Sequence, residues 1–340
     1  MQRGYTLTRM TLPGGEFRAP ARASGTRIPD FFIVGHAKSG TTALYEMLRP
    51  HPQIYMPEVK EPWFLATDMR PRFQPKRGGT PPQTLEEYLS LFVDAGPEQR
   101  VGEASSSYLW SRTAAGNIAS LQPAAKIIAL LREPASFLYS LHLQLVQNHV
   151  EVKKDLRKAL ALEDMRRKGK HVPRRSHRPQ MLLYSDHAHY TEQLRRYYDK
   201  FPSDQVLVLI YDDFRKDNEG TVRDVLRFLE VDDDYRIEVL KINPSVRTRS
   251  QQLDEVVHAI SVGRGTLSSS IKTVVKRLTP QRQRRELQKF VLRRLVFGKP
   301  KPPDEELMLD LRRRFKGEVV ALSEYLGRDL VSLWGYDSID

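Results

Sequence analysis

Residues 31–48 read FFIVGHAKSGTTALYEML, and the order of residue types in this stretch decides the fold. Phe31-Phe32-Ile33-Val34 is a short unbroken apolar run, the pattern of a strand buried on both faces. Gly35 ends it. Thr41 to Leu48 follows as a helical stretch, stopped by Pro50 and Pro52. Gly35 and Gly40 bracket four residues in the connecting loop. Glycine lets a backbone approach an anion closely, and the helix that follows offers unpaired N–H groups and the positive end of its dipole. The stretch is therefore a candidate anion loop at the end of a buried strand.

Outward from this loop, the same alternation recurs. Residues 100–104, 126–131 (KIIALL) and 205–211 (QVLVLIY) read as further buried strands, and residues 84–93, 135–150, 186–200 and 219–229 as helices. Residues 67–83, rich in Pro, Gly and Arg, read as a loop, and the basic stretch 166–180 as an exposed loop. From about residue 250 the chain reads as helical, with an Arg/Lys-heavy insert near 270–301. Short apolar strands alternating with helices predict an α/β fold, a parallel central sheet flanked by helices, with a helical C-terminal portion. Residues 1–29, poor in acids and rich in Gly, Pro and Arg, read as a flexible leader. Residues 30–340 are expected to form a single domain, with its ligand-binding core over about 30–250 and the helical portion over about 250–340.

Composition limits the function. The 340 residues carry 55 Lys and Arg against 42 Asp and Glu, a formal charge of +13, which calls for an anionic partner. Hydrophobic residues make up 40%, enough for a buried core. The chain has no cysteine, which excludes disulfides, thiolate metal sites and cysteine nucleophiles. Its histidines show no metal-ligand spacing, so no metal is expected. No apolar run is long enough to span a bilayer, and no secretory signal is visible, so a cytoplasmic protein is expected.

The anion loop departs from the nucleoside-triphosphate pattern GxxxxGK[ST]. Thr41 and Thr42 occupy the last two positions, and the lysine sits inside the loop at Lys38. Hydroxyls are kept and the cation is moved, which suits a single 5′ phosphate bearing one more anionic group, without a metal. Residues 31–54, with Lys38, Ser39, Gly40, Thr41, Thr42 and Ala43 and the following His51-Pro52, resemble the 5′-phosphosulfate loop of the sulfotransferases that use 3′-phosphoadenosine 5′-phosphosulfate (PAPS). The resemblance is to the branch that includes bacterial and heparan sulfate enzymes, and implies their P-loop-like fold. Arg132-Glu133-Pro134, with Ser140 eight residues after the arginine, resembles that family's 3′-phosphate motif. Phe137 stands where many members carry Arg.

Sulfuryl transfer to an alcohol needs a base, a stabiliser of the leaving oxygen and an aligned acceptor. Lys38 is the natural stabiliser. Lys60-Glu61-Pro62-Trp63-Phe64 resembles the family segment whose glutamate is the base, which implies Glu61 as base and Lys60 as an acceptor contact. The run from Gly102 to Tyr108 resembles the element beside the acceptor, making Glu103 a substrate-binding candidate; Ala104 replaces the lysine of heparan-type enzymes. Arg247 or Arg249 is expected to reach the 3′ phosphate. The resemblance implies transfer from PAPS to a hydroxyl or amine of a glycan, lipid or natural-product acceptor. A P-loop small-molecule kinase and a charge-driven nucleic-acid binder are the alternatives.

Overall fold

The computed structural model describes residues 27–69, 81–174, 176, 178–238, 247–248, 297–298 and 302–340, the two short pairs as backbone only. The first 26 residues of the expected leader, Arg249 and most of the 270–301 insert lie outside the described residues. The described chain forms two compact units, one holding residues before 132 together with 190–238, the other residues 132–189 and the C-terminal segment.

The first unit is built on a five-stranded sheet: β1 (Phe31–Gly35), β2 (Ile54–Tyr55), β3 (Arg100–Ala104), β4 (Lys126–Leu131) and β5 (Val206–Ile210). Its order is β2-β3-β1-β4-β5 and every pairing is parallel. Phe31, Phe32, Ile33 and Val34 are fully buried, as expected of a central strand covered on both faces. Ile33 pairs with Ala104, so the carboxyl ends of β1 and β3 lie side by side. That approach requires Gly102, because a Cβ there would stand 2.2 Å from the Phe31 ring.

Helices of this unit are α1 (Thr41–Leu48), α2 (Leu85–Leu89), α3 (Ala114–Leu121), α7 (Tyr190–Tyr198), α8 (Tyr211–Lys216) and α9 (Asn218–Phe228). Leu44, Met47 and Leu48 of α1 and Val222, Val225 and Leu226 of α9 pack with Phe31, Ile33, Ile128 and Leu130 in one core cluster. Each such side chain contributes roughly 1.5–3 kcal/mol by leaving water. His51 pins the chain leaving α1. Its Nδ1 accepts from the Gln53 N–H at 3.1 Å, so its Nε2 donates to the Asp232 carbonyl at 2.8 Å.

The second unit contains α4 (Pro134–Gln147), α5 (Leu156–Leu160), α6 (Glu163–Arg167), α10 (Glu305–Leu326) and α11 (Leu330–Leu333). Helix α10 starts at Asp304, whose carboxylate accepts from the Glu306 and Leu307 N–H groups, and ends at Gly327 in the left-handed region. It buries Leu307, Leu311, Phe315, Val319 and Leu322 at helical spacing and packs on α4. Arg247–Thr248 and Phe297–Gly298 pair as short antiparallel strands, inside and beside a region that reads as helical in sequence.

The stretch 166–180 is exposed over 167–171, as its charges predict, and departs from a solvated loop at its start. Arg166 lies in α6 and is buried, its guanidinium 2.8–2.9 Å from both oxygens of buried Glu151. The Tyr184 hydroxyl donates to the same carboxylate at 3.1 Å. Arg167 pairs with Asp186. A desolvated arginine persists only with such a partner, and Glu151 is too distant in sequence for a local pattern to show it. Lys168, Lys170 and Arg174 are exposed. No described helix is long and apolar enough to cross a membrane.

Candidate active site

The anion loop leaves β1 at its carboxyl end, where parallel sheets place their ligands. Lys38 has φ 72°, a left-handed conformation unusual for a side-chain-bearing residue and common at functional turns. Gly40 has φ 98°, and a Cβ there would meet the Phe214 ring at 3.1 Å, so both backbone and packing require glycine. Between them, Ser39 is fully buried, and its hydroxyl has no hydrogen-bond partner among the described residues. An unsatisfied buried hydroxyl calls for a partner, either a buried water or a ligand group that reaches it when the loop shifts. Thr41 and Ala43 are buried in the first turn of α1, and Thr42 is exposed. That turn carries no acidic residue to compete with an anion.

His36, to which the sequence assigns no role, anchors the loop. Its Nε2 lies 2.8 Å from Gln193 Oε1 on α7, and its ring packs against Tyr190 at 5.4 Å. Its own carbonyl accepts from the Ser39 N–H at 3.2 Å. Only the alternation of loop and distant helix brings His36 and Gln193 together, so no local signal announces the pair.

Residues 60–65 form a second strained loop. Glu61 has φ 62° and Trp63 φ 54°. The Glu61 N–H donates to the Ala104 carbonyl at 3.0 Å, the Trp63 N–H to Ser105 Oγ at 3.1 Å, and the Leu65 N–H to the Tyr108 hydroxyl at 3.1 Å. Alternate N–H groups are thus stitched to the segment that ends β3. The stitching holds Glu61 at the strand end next to the one from which the anion loop emerges.

Glu61 receives Lys60 Nζ at 2.8 Å and the Ser106 hydroxyl at 3.0 Å, both on Oε1. Its Oε2 carries no hydrogen bond among the described residues, and the side chain is 26% exposed. One oxygen is fixed and the other is open. Ser106 acts here without any warning beyond its place in the Gly102–Tyr108 run.

Glu103 is different. Its side chain is fully buried, the Tyr88 hydroxyl donates to Oε2 at 3.2 Å, and Oε1 has no hydrogen-bond partner among the described residues. Burial pushes its pKa up to about 7, against the pull of the Ser105, Tyr108 and Tyr88 hydroxyls and the Lys60 charge. The sequence places Glu103 against the acceptor; so deeply buried a carboxyl reaches an acceptor only through the residues around it.

Arg132 directly follows β4 and is half-buried, and Ser140 is buried in α4. Both belong to the second unit. Arg247 is described as backbone only, and Arg249 lies outside the described residues. Among the described residues no group of three or more His, Asp or Glu side chains could hold a metal ion.

The model of the sulfotransferase family matches residues 29–235. The chain belongs to the sulfotransferase family. The match takes in the anion loop, the Glu61 loop, Glu103, Arg132 and Ser140, and stops before the C-terminal helices. A sulfotransferase from Alicyclobacillus acidocaldarius superposes with a TM-score of 0.65 at 26% identity, covering 91% of this chain and 99% of that one. Carbohydrate sulfotransferase 15 of Mus musculus is 30% identical over 148 residues, 33% of this chain and 26% of that protein. The human bifunctional heparan sulfate N-deacetylase/N-sulfotransferase 3 is 33% identical over 116 residues, 34% of this chain and 13% of that protein. This sulfotransferase-family chain therefore spans about a quarter or less of the length of these two relatives.

Proposed function

We propose that the chain transfers a sulfuryl group from PAPS to a hydroxyl or amine, with a glycan as the favoured acceptor class and a lipid or natural product as the alternative. One observation carries the reading. A loop carrying Lys38, in a left-handed backbone, and an unsatisfied serine hydroxyl follows β1, and a half-open glutamate is stitched to the end of the neighbouring strand. The donor set fits an anionic group: one ammonium, three hydroxyls and the N–H groups of a helix start whose first turn carries no acidic residue.

When bound, PAPS supplies an activated sulfuryl group on a nucleotide that leaves as a phosphate. Lys38 would neutralise the charge that grows on the leaving oxygen. Ser39, Gly40, Thr41, Thr42 and Ala43 would hold the 5′ end. Arg132 and Ser140 would hold the 3′ phosphate, a role carried by their sequence motif, with Arg247 or Arg249 as a further contact. Glu61 would take the acceptor's proton on Oε2, while Lys60 and Ser106 keep Oε1 in place. The glycan preference is supported by the names of the relatives above.

The test is transfer of radiolabelled sulfate from PAPS to glycan, lipid and small-molecule acceptors, in the presence of a metal chelator. Transfer is expected from wild type, and Lys38→Ala should lower it about a hundredfold or more. No transfer from PAPS, together with Mg²⁺-dependent phosphoryl transfer from ATP, would replace this reading with a kinase.

A further inference from the structure

The residues that follow the family match hold a carboxylate next to Arg132. Glu133 is 5% exposed and begins α4. Its Oε1 accepts from the Ala135 N–H at 3.2 Å, and its Oε2 from the Ser136 N–H at 2.6 Å. The Tyr336 hydroxyl, nearly at the C-terminus, donates to Oε1 at 2.6 Å. Arg312 Nε, on α10, lies 3.6 Å from that oxygen, and its guanidinium sits 6.0 Å from the Tyr336 ring centre. Tyr336 is fully buried, so its hydroxyl must find a partner inside the protein. Its place is set by a tight turn after α11, where its N–H donates to the Val331 carbonyl at 2.8 Å and Gly335 adopts φ 69°.

Two consequences follow for Arg132. With Glu133 held at both oxygens and Pro134 restricting the backbone before it, the Arg132-Glu133-Pro134 turn has little freedom. Electrostatics point the same way. Glu133 is a negative charge one residue from the cation assigned to a phosphate. Arg312 and the Tyr336 hydroxyl compensate that charge and hold the carboxylate toward α4 and α10. We infer that Tyr336 and Arg312 are positioning residues that set the affinity for the 3′ phosphate of the nucleotide by fixing the Glu133 carboxylate beside Arg132. This rests on the nucleotide reading proposed above. It gives the C-terminal segment, which the family match omits, a part in nucleotide selection.

The experiment is calorimetric titration of the full chain with 3′-phosphoadenosine 5′-phosphate and, separately, with adenosine 5′-monophosphate, which lacks the 3′ phosphate. Wild type should prefer the first. Tyr336→Phe, which keeps the ring and its packing, should weaken binding of the first about tenfold and leave the second within about twofold. Arg312→Gln, at a half-exposed position, should act in the same direction and less strongly. Loss of packing alone would weaken both nucleotides alike. Equal binding of the two by wild type would overturn the nucleotide reading and this inference with it. A discriminating wild type whose preference is unchanged in both variants would overturn this inference alone.

Discussion

Glu61 and Glu103 belong to the same corner of the sheet, yet water treats them differently. Glu61 sits on a loop hung from the last carbonyl of β3, with one oxygen fixed by Lys60 and Ser106 and the other open. Glu103 lies within β3, fully buried against Tyr88, with its pKa driven up to about 7. The residue type is shared; exposure and partners separate the roles. The open carboxylate suits proton transfer. The buried one accepts from Tyr88 and lies near Ser105 and Tyr108, the two side chains that accept N–H groups of the Glu61 loop.

The strongest way to break this contrast is Glu61→Gln. Sulfate transfer should fall by about 10²–10⁴, the usual worth of a general base, with the melting temperature unchanged. Full activity in that variant would remove Glu61 as base.

The next effect belongs to Glu103 and is read in stability. Its folded pKa of about 7 exceeds the ordinary 4.5, so between those values the folded chain keeps a proton that the unfolded chain has lost. The group's contribution is full below about pH 4.5 and declines as pH rises toward 7, by up to about 3 kcal/mol. Glu103→Gln lacks that decline. The difference in unfolding free energy, variant minus wild type, should therefore grow between pH 5 and pH 8 in urea titrations. A flat difference would show Glu103 ionised in the folded chain and erase its distinction from Glu61.

The smallest effect sharpens the comparison. Ser106→Ala removes one donor from Glu61 Oε1 and leaves Lys60. Sulfate transfer should drop about threefold to tenfold, with the acceptor KM little changed. A loss as large as that of Glu61→Gln would mean that Ser106 itself handles the proton.

Much of the fold was legible because the chain is well punctuated. Gly35, Gly40 and Pro50 bound β1 and α1, and helix α1 spans Thr41–Leu48 as the pattern predicts. The apolar runs of β4 and β5 stand out from polar flanks. Other elements leave no such mark. β2 is two residues long, too short for any period. α8 begins at Tyr211, the residue after the end of β5, with no breaker between them, so strand and helix merge in sequence. Arg166 looked solvated because Glu151 stands in another element. At the site, residue types pointed to Lys38, Glu61 and Arg132. The left-handed backbone of Lys38 and the unsatisfied Ser39 hydroxyl leave no mark in residue types, and the Glu61–Ser106 bond arises only when the Glu61 loop is stitched to the end of β3.

The tie between His36 and Gln193 has a kinetic consequence. A loop already bound to α7 needs no ordering when an anion arrives. Association should then run at a rate set by diffusion and by the pull of Lys38, slowing as salt screens that pull. Cutting the tether would shift the limiting event from encounter to loop rearrangement, and the dependence on salt would fade.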